Sequence, residues 1–130
     1  MSADHELTAA YQEWRRLAEA ESRAIQACDW SLLSACQKAL LHLQTRITSI
    51  SAAARQEWEK MGAARRRREA QMKATIFELV ELEKRNQTLL QAVRKTATQR
   101  LEQLDRAGHN LKRLQRSYAG DPPVAWSSFS

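Results

Sequence analysis

The sequence predicts an all-α protein: an elongated antiparallel helical hairpin, or a bundle of long helices with coiled-coil-like packing. Three observations lead there. Apolar residues recur at alternating steps of three and four along most of the chain, which is the repeat of a helix with one sticky face. Glycine and proline are scarce, three and two among 130 residues, and neither occurs before Gly62. A β fold of this length needs many more turn residues. The chain is 28% charged and only 6% aromatic, a balance typical of long helices rather than sheets. One helical domain over residues 1–119 follows, with helices at about 6–28, 31–61 and 66–118, and a flexible tail at 120–130.

In the first segment, Leu7, Tyr11, Trp14, Ala18, Ile25 and Cys28 keep the three-four spacing, and Glu21 fills the missing step. "CDWS" at 28–31 then interrupts, and Asp29 or Ser31 can accept from the free amides of a new helix. The pattern leaves open whether this break is a kink or a full turn. The second segment carries Leu33, Cys36, Leu40, Leu43, Ile47, Ile50 and Ala54 on one face, extended by Trp58 and Met61. Gly62 lies in the basic stretch "KMGAARRRREAQ", which loses the apolar repeat and reads as a turn or a weak point. A hairpin folded there pairs 6–61 with 63–118. A second turn at "CDWS" gives three helices instead.

The third segment has the longest repeat: Met72, Ile76, Leu79, Glu83, Asn86, Leu90, Val93, Ala97, Arg100, Leu104, Ala107, Leu111, Leu114 and Tyr118. Spacing sustained this far points to coiled-coil-like packing. Glu83 and Asn86 are polar at seam positions, where a polar group fixes register at a cost in stability. Gly108 invites a close helix contact. "GDPP" at 120–123 stops the helix.

The net charge of +6 is unevenly spread. Residues 1–37 hold six acids against three arginines, and residues 84–116 nine bases against two acids. Opposite signs favour these segments lying side by side. No basic region followed by an apolar run opens the chain, and no stretch reaches membrane-spanning length. On one continuous helix Cys28 and Cys36 would stand ~12 Å apart, too far for a disulfide. Small buried thiols in a reducing, cytoplasmic setting are expected. "NQT" at 86–88 matches a glycosylation sequon by chance.

Catalysis has no foothold. His5, His42 and His109 are scattered, no metal-ligand spacing occurs, and no glycine loop cradles a phosphate. No cofactor is expected. "AARRRREAQ" carries charge for a phosphate backbone but no interleaved aromatic for base stacking, so nucleic acid is a weak third reading. Among the tryptophans, Trp14 belongs to a core face, Trp30 covers a helix end, Trp58 edges its seam, and Trp126 lies in the tail.

"ELEKRNQTLLQAV" at 81–93 resembles the third-helix motif of FlgN-type (FlgN/FliT-like) flagellar export chaperones: an acidic-aliphatic run, an asparagine, then an aliphatic pair. "AESRAIQACDWSLLSACQKALLHLQTRI" is similar to that family's passage from first to second helix, with Glu21, Ala24, Asp29, Leu33 and Lys38 at the matching places. The resemblance covers about residues 7 to 118. It implies a non-enzymatic cytoplasmic adaptor, monomer or homodimer. Such an adaptor binds the terminal amphipathic helices of hook–filament junction (or cap) proteins and delivers them to export-gate components. The partner-binding residues then expected are Asn86, Leu90, Val93, Ala97, Leu101, Leu104, Leu111, Leu114 and Tyr118. The competing reading is a self-assembling structural coiled coil.

Overall fold

The structure, a computed structural model, describes residues 2–118. It contains three α-helices, α1 (Ala3–Gln26), α2 (Trp30–Glu59) and α3 (Arg65–Tyr118), with one 3-10 turn at Gly62–Ala64 before α3. Among the described residues there is no strand, so the chain is all-α. No helix there is long and apolar enough to cross a membrane. The tail at 120–130, with Trp126, lies outside the described residues.

"CDWS" is a full turn, not a kink. Asp29 N–H donates to the Ala24 carbonyl at 2.8 Å and Cys28 N–H to the Ile25 carbonyl at 3.1 Å, the paired bonds of a Schellman ending. That ending requires a left-handed residue, and Cys28 takes it at φ 54°. A position usually given to glycine therefore carries a side chain, at a backbone cost of roughly 1–2 kcal/mol. Asp29 then caps α2, its side chain accepting from Leu32 N–H at 3.1 Å. The expectation of two buried thiols is corrected in half. Cys36 is buried, but Cys28 is exposed, because the turn takes it off the helical face. Gly62 makes the second turn at φ 62°, where it costs little.

α1 begins earlier than the repeat predicts because its amides find partners. Ser2 Oγ accepts from His5 N–H at 3.1 Å. The Glu57 carboxylate, from the last turn of α2, accepts from Ala3 N–H at 2.6 Å and Asp4 N–H at 2.9 Å. A carboxylate at a helix N-terminus is also favoured by the peptide dipoles.

The described residues fall into two units, 2–93 and 94–118. The first holds the core. Leu7, Tyr11, Ala54, Trp58, Met72 and Leu79 form one buried cluster. Ala10, Leu17, Leu40 and Leu43 form a second. Ala24, Ile25 and Leu33 form a third, against which Leu89, Leu90 and Val93 pack. At one end, Arg68 grips Asp4 with two nitrogens, at 2.7 and 2.9 Å, and reaches Thr8 Oγ1 at 2.8 Å. Trp58 Nε1–H donates to the same Asp4 at 2.6 Å. Part of the arginine run is therefore a clamp between α1 and α3. Among the described residues, the other α1–α3 ion pair is Arg15–Glu78 at 2.9 Å. Neither pair uses residues 84–116, the basic segment expected to face the acidic start.

The second unit is described through Tyr118 as helix, and every residue from Arg94 to Tyr118 is exposed. A Cβ added at Gly108 would meet nothing within 4 Å, so no close helix contact explains that glycine.

Candidate interaction site

Two features stand out, one in each unit. In the first unit the polar seam residues converge. Glu21 arrives from α1, because its place in the repeat points it inward, and it is 4% exposed. Asn86 arrives from α3, also 4% exposed, and its side-chain amide donates to the Ala18 carbonyl at 2.8 Å. Glu83, one turn before Asn86, is half-buried and accepts from Trp14 Nε1–H at 3.3 Å.

The two carboxyls lie together in the lining of one groove. Burial, then the charge of Glu83, then the shared hydrogen bond push the Glu21 pKa up to about 8. A buried carboxylate beside a second one ionises only at a cost, so Glu21 keeps its proton at neutral pH. Glu21 Oε1 is buried with no hydrogen-bond partner, an arrangement that ordinarily costs stability. On α2, Cys36 lies in the same field, and burial followed by the Glu21 charge raises its thiol.

Beside this pair opens a groove of about 330 Å3. Its walls are aliphatic, from Ile25, Leu40, Leu41 and Leu90, and its polar lining includes Gln37, Gln44 and Gln87 alongside Glu21, Glu83 and Asn86. The sequence marks Glu21, Glu83 and Asn86 as seam positions. It carries no signal that Glu21 and Glu83, 62 residues apart, would meet, or that Trp14 would tether the second acid.

The predicted partner-binding residues separate into three kinds. Asn86 is buried in the seam, its amide donating to the Ala18 carbonyl, and it also lines the groove beside Glu21. Leu90 and Val93 are half-buried against the Ala24–Ile25–Leu33 cluster. Ala97, Leu101, Leu104, Leu111, Leu114 and Tyr118 are exposed. In the second unit Leu101, Leu104, Leu111 and Leu114 retain 67%, 69%, 56% and 53% of their accessible surface. At the helical period they share one side of α3 with Ala97, Ala107 and Tyr118. The opposite side carries most of the seven bases of 94–118. An apolar stripe of this kind is costly to leave in water.

Among the described residues no group of three or more His, Cys, Asp or Glu could hold a metal ion. Compared with family models, curated proteins and solved structures, the chain matches none of them.

Proposed function

We propose that this chain is an export chaperone or adaptor. Its client is the terminal amphipathic helix of a flagellar hook–filament junction protein, which it keeps unassembled and hands to a type III export gate. The observation that carries the reading is the exposed leucine stripe on α3 after Val93. A free chain tolerates such a stripe when a partner covers it, and covering it contributes about 1.5–3 kcal/mol for each large aliphatic side chain fully buried. A disordered terminal segment that folds on the stripe gives back part of that gain as ordering entropy. The resemblance of residues 81–93 and 20–47 to FlgN-type sequences supports the choice of client.

The test is calorimetry with the terminal segment of a junction protein from the same organism. Binding at micromolar affinity or tighter is expected, with a negative heat-capacity change from apolar burial. Leu104→Asp should abolish it while leaving the melting curve unchanged, because Leu104 is exposed. The competing reading, a structural coiled coil closed by a second copy of the chain, predicts instead a concentration-dependent dimer that Leu104→Asp dissociates. No binding by either terminal segment of any junction, cap or filament protein would end the chaperone reading.

A further inference from the structure

The groove at Glu21 has a composition that the exposed stripe does not account for. Its walls are aliphatic and its polar lining includes two carboxyl groups, one with a buried oxygen that no donor meets. That combination matches a long aliphatic side chain with a cationic head. Resting on the client-binding reading above, we propose that this groove takes an arginine or lysine side chain from the docked partner, its stem against Ile25, Leu40 and Leu90 and its charge on the Glu21–Glu83 pair.

Three physical points support the assignment. The pair lacks a cation of its own: among the described residues, no ion pair within 4 Å involves Glu21 or Glu83, whereas Asp4, Glu13, Glu69, Glu78 and Glu81 each have one. The groups acting on Glu21 are Glu83 from α3 and the Cys36 thiol from α2, which also feels the charges of Arg16 and Arg23; among the described residues neither arginine forms an ion pair with Glu21 or Glu83, Arg16 pairing with Glu13 instead. A guanidinium also suits the pair, because its fork of donors can meet two carboxylates at once. On binding, the Glu21 O–H bond breaks, the proton goes to solvent, and the arriving cation replaces it as the counter-charge.

The experiment uses the full chain and a defined probe, n-butylguanidinium, with n-butylurea as its neutral twin. Saturable millimolar binding is expected at pH 7, followed by the shift of the Trp14 indole N–H resonance, since that group donates to Glu83. Calorimetry in buffers of different ionisation enthalpy should show close to one proton released per guanidinium bound. Affinity should exceed that of butylurea by about tenfold, the worth of one partly screened charge contact. Glu21→Gln keeps the shape of the side chain; it should still melt cooperatively and lose the proton release together with most of the affinity. An equal response to butylurea, an unmoved Trp14 resonance, or proton release retained in Glu21→Gln would each overturn the proposal. Because the probe replaces the client, this result is read separately from the client calorimetry.

Discussion

Replacing Glu21 with glutamine tests the physical heart of the bundle. The parent carboxyl has a folded-state pKa of about 8, against an ordinary value of 4.5. The native state therefore holds a proton that the unfolded chain has released over that interval. Stability from this group is fully present below pH 4.5 and is lost as pH rises through 8. The slope is about 1.4 kcal/mol per pH unit, so the accumulated loss over the 3.5 units between 4.5 and 8 is of order 5 kcal/mol. That is a large share of the roughly 5–15 kcal/mol that holds an ordinary domain together. Glutamine has nearly the same shape, cannot ionise, and can donate its amide N–H to Glu83. Near pH 5 parent and variant should unfold in urea at similar concentrations, within about 1 kcal/mol. By pH 8.5 the variant should be the more stable by several kcal/mol, with an unchanged urea dependence. Parallel pH profiles for the two proteins between 5 and 8 would refute the proton held on Glu21 and the burial argument with it.

Three other substitutions probe separate parts of the fold. Cys28→Gly should raise stability by about 1 kcal/mol, because glycine occupies the left-handed turn without the steric cost, and thermal melts under reducing conditions would show it. Asp4→Asn should cost about 1–2 kcal/mol at pH 7 by weakening the charged contact with Arg68. The Asp4 pKa is held below its usual value chiefly by the hydrogen bond from Arg68, so its contribution is present above pH 3.8 and is lost as pH falls through the depressed value. The difference between parent and Asp4→Asn should accordingly close in strong acid, opposite in sense to Glu21. Asn86→Ala should destabilise by roughly 1–3 kcal/mol through a small cavity and the lost bond to Ala18, measured by urea titration; an unchanged midpoint would mean that the enclosed amide contributes nothing to register.

Helical periodicity by itself determined which faces turn inward. Leu7, Tyr11, Ala18, Leu33, Leu40, Leu43, Met72 and Leu79 are seam positions in the sequence and are buried in the structure, because a period near 3.6 leaves only one stripe on which apolar side chains can gather. The repeat also placed Glu21, Glu83 and Asn86 on that stripe. Periodicity carries no information about what covers a stripe, however, and the same repeat runs through Met72 and Leu111 although only the first is buried. Tertiary structure decided that difference. It also decided that "CDWS" is a turn, since the hydrogen bonds that close it depend on Cys28 accepting a conformation that its residue type disfavours. Most of all, it brought Glu21 beside Glu83. Neither carboxyl is unusual within its own helix, and the raised pKa comes from burial and mutual repulsion, which depend on distances through space rather than positions along the chain.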